Sequence, residues 1–166
     1  LPGCYQVNDA TQRIAASAAS RGEAGLPTEA FAFCCFNQAY KILPRTFATW
    51  ARLLAAVPGS VLWLLESNGW ATQNLRREAQ RLAIAPERLI FAPKLPLDRH
   101  LARLRAADLF LDTFPFNAAS TANDALWMGL PLLTLSGRSF SSRMAGALQT
   151  AARLPEAIKV ARGRAG

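Results

Sequence analysis

ADLFLDTFPFNAASTANDALWMGLPLLTL, residues 107–135, decides the reading of the fold. It opens on a short apolar run, DLFLD (108–112), and passes through Pro115 and the small residues Ala118 and Ala119. A helical pattern follows from about 120 to 129, then a second apolar run, PLLTL (131–135). Short unbroken apolar runs bounded by turn residues read as strands buried on both faces, the habit of parallel sheets. The stretch is therefore strand, loop, helix and strand.

The alternation continues towards both ends. FAFCCF (31–36), VLWLL (61–65) and RLIFA (88–92) repeat the strand pattern, and helical patterns lie at about 45–57, 70–83, 97–106 and 140–151. Pro44 suits a helix start, and Pro58-Gly59 closes the same helix. Five strand-helix units predict right-handed crossovers and an α/β fold, a Rossmann-like doubly wound parallel sheet of about five strands. A barrel fragment would show the same pattern, but five units do not close a barrel. Residues 1–29, with Pro2, Gly3, Gly22, Gly25 and Pro27 among small residues, read as a linker or crossing segment. The ordered domain is expected over 30–157, and the closing KVARGRAG, without apolar pattern, leads us to expect a disordered tail over 158–166.

Bulk properties narrow the function classes. A hydrophobic content of 51% fills a core without metals or disulfides. The chain begins at Leu1 with neither a basic nor an apolar leader pattern, and it reads as a piece of something longer. No apolar run reaches the roughly 20 residues of a membrane span, so no membrane role is expected. Cys4, Cys34 and Cys35 form no CxxC pair, which predicts neither metal site nor disulfide framework and suits a cytoplasmic setting. The net charge of +8 attracts phosphates of some kind. Its arginines, among them Arg76, Arg77, Arg81, Arg99, Arg103 and Arg105, are spread over several helical patterns without interleaved aromatics. They read as solvated helix faces, and no nucleic-acid partner is expected.

In a doubly wound sheet, ligands bind beyond the carboxyl ends of the strands, here the loops 37–43, 66–69, 93–97, 113–120 and 136–139. The strongest constellation spans Asn117 to Asp124. Ser120 and Thr121 stand where a helix begins, its first N–H groups are unpaired, and Ala118 and Ala119 permit close approach. That is an anion site in outline, sized for a diphosphate, although a simple helix cap would use the same Ser-Thr pair. Asn37-Gln38-Ala39-Tyr40-Lys41 follows the first strand, and Lys41 can reach across the strand ends to a phosphate or simply be a solvated loop lysine. His100, the single histidine, lies where its ring could meet a base, or be inert. Neither GxGxxG nor GxxxxGK[ST] occurs, which argues against dinucleotide dehydrogenases and P-loop enzymes. There is no GxSxG elbow.

Several of these segments together, FCCFNQAYKILPRTFATWARLLAAVPGSVLWLL, RLIFAP, ADLFLDTFPFNAASTANDALWMGLPLLTL and SSRMAG, resemble the C-terminal catalytic half of O-linked N-acetylglucosamine transferases, including bacterial SPINDLY-type members. The likeness runs from about residue 30 to 157, and LPGCYQVND resembles the segment joining the two catalytic halves. The resemblance implies the C-terminal lobe of a GT-B glycosyltransferase that takes the sugar of UDP-N-acetylglucosamine to protein Ser or Thr hydroxyls with inversion. It implies a nucleotide-sugar partner, an acceptor protein, and a preceding lobe and TPR repeats in the same polypeptide, without which this chain would not be competent. Carried over by motif, Gln38 and Lys41 contact the diphosphate, with Lys41 stabilising charge on departing UDP. Ser120 and Thr121 hold the diphosphate beside Asn117 and Ala119, Asp124 binds ribose hydroxyls, His100 stacks near uracil, and Leu95 meets the base through its backbone. No cofactor or metal is implied. Ala119 replaces a histidine and Leu97 a lysine of other members. The resemblance leaves room for a GDP-fucose-using relative and for a non-catalytic nucleotide-sugar module.

Overall fold

The computed structural model describes residues 4–16 and 20–160. Residues 1–3, 17–19 and 161–166 lie outside the described residues, and with them parts of the expected linker and most of the expected tail.

Six strands form one parallel sheet: β1 (Ala32–Cys35), β2 (Val61–Leu65), β3 (Leu89–Ala92), β4 (Leu109–Leu111), β5 (Leu132–Ser136) and β6 (Ile158–Val160). Their order is β3-β2-β1-β4-β5-β6. Between them run α1 (Pro44–Ala56), α2 (Gly69–Arg81), α3 (Leu97–Arg103), α4 (Ser120–Trp127) and α5 (Met144–Ala151). The connection order reverses between β1 and β4, because β1 leads outward to β2 while β3 crosses back to β4. Right-handed crossovers then set α1 and α2 on one face and α3 to α5 on the other. Burial on both faces explains the apolar strands: all four residues of β1, including adjacent Cys34 and Cys35, are buried. Trp63, Phe36 and Phe110 fill the centre, with Phe36 and Trp63 edge to face, their centroids 4.9 Å apart.

Local chemistry sets the element ends. Pro44 occupies the first turn of α1, where its missing N–H costs nothing. Asn68 caps α2, its side-chain oxygen accepting from Ala71 N at 2.8 Å. The open carbonyls at the end of α1 are met by Arg88, which donates to Leu54 O (2.7 Å), Val57 O (2.9 Å) and Ser60 O (2.7 Å). Ahead of the sheet, Arg21 grips both carboxylate oxygens of Asp108 at 2.7 Å, and Asp108 accepts from Ala32 N at 2.8 Å. The segment entering the domain is thus fastened where β1 and β4 begin.

The structure corrects the sequence reading at four places. The sheet has six strands rather than about five, because residues 158–160, expected to open a disordered tail, pair in parallel with Thr134–Ser136. A three-residue edge strand carrying Lys159 has too little pattern to announce itself, and short charged edges are how sheets avoid pairing further. The helix expected to 106 ends at Arg103 and tightens into a 3-10 turn over Leu104–Ala106. The last helix begins at Met144 rather than 140, since Ser139 and Ser142 bond one another and the local backbone instead of a helical ladder. Finally, Arg103 does not belong to a solvated face: it is 3% exposed and packed in the core's upper end.

Candidate functional site

The reversal between β1 and β4 opens a crevice at their carboxyl ends, the position where doubly wound sheets hold ligands. The loop after β1 supplies Asn37, Gln38 and Lys41 on one side, and the loop after β4 supplies residues 112–119 and the start of α4 on the other.

The α4 start is open. Its N-cap position is Ala119, with φ −117° and ψ −88°, and no side chain caps the helix. Neither Ser120 nor Thr121 therefore spends its hydroxyl on the simple cap that the sequence left open. Ser120 is exposed, and Thr121 donates its hydroxyl hydrogen to Asn37 Oδ1 across the crevice floor. The first N–H groups of α4, with the positive end of the helix dipole, face outward without side-chain partners among the described residues.

Lys41 sits on the 3-10 turn Ala39–Lys41. Its Nζ donates to Asn117 O at 3.1 Å and lies 3.8 Å from the centroid of the Phe116 ring. Loss of hydration lowers its pKa below the ordinary lysine value, while the carboxylate of Asp112 works in the other direction. Asn117 is fully buried, its Nδ2 donating to Thr113 O (2.8 Å) and Leu135 O (3.3 Å), so its side chain shapes the loop and its main-chain carbonyl receives Lys41. Gln38 is exposed at the head of the same turn, its carbonyl accepting from Lys41 N at 3.0 Å. Lys41, Asn117, Thr121 and the α4 start are thus brought together.

Asp124 lies one turn into α4, half-buried, and desolvation pushes its carboxyl up to about 6. No hydrogen bond engages its side chain among the described residues. His100 lies on α3, half-buried, with its ring 5.4 Å from Phe36. Its Nδ1 meets Arg103 Nη2 at 2.6 Å. A guanidinium only donates, so Nδ1 is the acceptor and the ring proton sits on Nε2. Burial, and then the Arg103 charge, bring His100 down to about 4. Arg103 is itself lowered to about 10 by burial, and its guanidinium stacks 4.6 Å from Phe36 while donating to Pro93 O at 2.6 Å. Leu95 lies half-buried in the loop between β3 and α3, and Leu97 opens α3 half-exposed. These two and Asp124 make no hydrogen bond to the Lys41 group.

Sequence reasoning passed over Asp112, Asn37, Thr113 and Arg103. Asp112 accepts from Ala118 N (2.6 Å), Thr113 N (2.7 Å) and Thr134 Oγ1 (2.6 Å), and burial still raises its carboxyl to about 6. The visible signal was a carboxylate ending an apolar strand, DLFLD, where a solvated aspartate would be ordinary. A separate cavity of about 830 Å³ lies against α1, β4 and β5, lined by Leu43, Trp50, Leu111, Phe114, Leu133 and Leu135. It is largely apolar and meets the crevice loop at Asp112, Phe114 and Pro115. No group of three or more His, Cys, Asp or Glu gathers among the described residues, and no helix there is long and apolar enough to cross a membrane.

The sequence matches glycosyl transferase family 41 across residues 7–164. The chain belongs to that family. A relative in Arabidopsis thaliana, the probable UDP-N-acetylglucosamine–peptide N-acetylglucosaminyltransferase SEC, is 37% identical over 153 residues. That alignment takes in 89% of this chain and 16% of the relative. Among solved structures, an O-GlcNAc transferase of Thermobaculum terrenum (mutant K341M) superposes with a TM-score of 0.74 at 32% identity, covering 77% of this chain and 25% of that one. Heptosyltransferase II of E. coli matches with a TM-score of 0.56 at 17% identity, over 88% and 42% of the two chains, a likeness of fold alone. The sheet is accordingly the Rossmann-like lobe of a GT-B glycosyltransferase. This family 41 chain spans about a sixth of the plant relative's length.

Proposed function

We propose that this chain is the donor-binding lobe of a protein O-glycosyltransferase that uses UDP-N-acetylglucosamine. The observation that carries it is the meeting of an uncapped helix start with Lys41 at the strand reversal, in a chain of family 41. In the reaction, a Ser or Thr hydroxyl of the acceptor forms a bond to the anomeric carbon as the bond to the diphosphate breaks. UDP departs with the electron pair, and the hydroxyl proton passes to a base outside this lobe. Negative charge grows on the diphosphate, where Lys41 and the α4 N–H groups stabilise it. In this reading they take the part that a divalent cation plays elsewhere, and Gln38 and Ser120 add donors.

Asp124 accepts from ribose hydroxyls, His100 lies against the base as a neutral ring, and the Leu95 backbone meets the base edge. The acceptor, the second lobe and TPR repeats belong to the rest of the polypeptide, so the lobe alone binds donor without transferring it. A cytoplasmic setting suits the free thiols of Cys4, Cys34 and Cys35.

Calorimetry with UDP tests the reading. The chain should bind UDP in preference to GDP, and Lys41→Ala should weaken binding about tenfold or more, the worth of one charge-assisted contact. No UDP binding, or an unchanged Lys41→Ala variant, refutes it.

A further inference from the structure

Two buried side chains at the β1–β4 reversal have no role in the reaction as described: Asn37 and Asp112, 2% and 8% exposed. An ionised carboxylate only accepts, so Asp112 fixes the orientation of its neighbours. Asn37 turns its amide nitrogen to Thr113 Oγ1 (2.8 Å) and towards Asp112 Oδ1 (3.4 Å). Its carbonyl oxygen is left for Thr121, whose hydroxyl must donate. The Thr113 hydroxyl in turn donates to Phe116 O at 2.6 Å. Donors thus run one way, from α4 through Asn37 into the loop after β4, and each is used.

The consequence for an anion is specific. Towards the crevice the Thr121 hydroxyl keeps only lone pairs, which suit no phosphate oxygen. What α4 offers is its main-chain N–H groups and the Ser120 hydroxyl. Such groups bind well only when held in place beforehand. Two bonds hold them: Thr121 to Asn37, and Ala118 N to Asp112 Oδ1 at 2.6 Å.

We propose that Asn37 and Asp112 are positioning residues, a buried clamp that sets the start of α4 against the Lys41 loop at the spacing a nucleoside diphosphate requires. The proposal rests on the donor-site reading above.

The test compares UDP with uridine, which has the base and ribose but no diphosphate, on the 166-residue chain. Asn37→Ala should weaken UDP about tenfold, the upper worth of one hydrogen bond, and leave uridine within about twofold. Thr121→Val should weaken UDP in the same way, and the double variant should be no weaker than Asn37→Ala alone, since both changes remove the bond between Thr121 and Asn37. Asp112→Asn keeps an oxygen for the Ala118 and Thr113 N–H groups and should hold UDP near the unaltered value, whereas Asp112→Ala should lose it. Should Asp112→Ala fail to fold, Asn37→Ala and Thr121→Val decide. Equal losses of UDP and uridine, or single losses that multiply in the double variant, overturn the clamp while leaving the donor site standing. An unaltered chain that ignores UDP removes the donor site and the clamp with it.

Discussion

Asp112→Asn should make the chain more stable at neutral pH, even though it replaces a carboxylate with three close hydrogen bonds. The reason is the cost of keeping that carboxyl ionised in the core. Burial raises it from the ordinary 3.8 to about 6, and its hydrogen bonds offset this only in part. A group raised in this way is favoured in the fold while protonated, so its contribution is full below 3.8 and is lost as pH climbs through about 6. Linkage puts the loss at about 1 kcal/mol at pH 4.5 and about 3 kcal/mol at pH 7.5. Asparagine carries no such cost and retains an oxygen for the Ala118 and Thr113 N–H groups, while Thr134 can turn its hydroxyl to accept. Urea unfolding, followed by tryptophan fluorescence across this pH range, measures the difference. Asp124 is raised in the same direction but is present in both proteins, so subtraction isolates Asp112. The stability gap should widen by about 2 kcal/mol between pH 4.5 and 7.5. Parallel curves, or an unaltered chain that is the more stable at pH 7.5, would refute the reasoning.

Three further outcomes are expected. His100, held down to about 4, should show no proton-NMR titration between pH 5.5 and 7.5, and Arg103→Met should move its midpoint up towards the ordinary range. Gly137→Ala would place a Cβ 2.6 Å from the buried Ser142 Oγ and 3.0 Å from the Phe114 ring. Overpacking of that kind costs about 1–3 kcal/mol, read as a Tm lower by several degrees. UDP affinity should fall with it, because the neighbouring Ser141 O holds Asn117 N at 2.9 Å. Arg88→Met takes the side-chain donor from the carbonyls of Leu54 and Ser60, while Val57 O keeps its bonds from Ser60, and denaturant unfolding should show a loss of about 2 kcal/mol.

The fold was legible because its strands are short, apolar and buried on both faces, a pattern that FAFCCF and VLWLL display without knowledge of their neighbours. The α4 start was legible for a similar reason, since small residues before a Ser-Thr pair are a local sign. What the sequence hid depends on partners far along the chain. Asn37 finds Thr113 and Thr121 only after β1 and β4 pair, and nothing next to Asn37 distinguishes it from a loop asparagine. Arg103 looks like its solvated neighbours until Phe36 and Pro93 surround it. Residues 158–160 become a strand because β5 offers an edge, not because IKV prefers one.

The bond between Thr121 and Asn37 spans 84 positions, and that between Lys41 and Asn117 spans 76. Neither loop contains half a crevice that could work alone. During synthesis, a chain halted before β4 would hold Lys41 and three of the six strands yet have nothing to close on a nucleotide. Closing loops of that length comes late, after nearer contacts have formed. Nucleotide affinity in this lobe is therefore acquired in a single late step, and a bound nucleotide certifies that the chain has been made at least as far as α4.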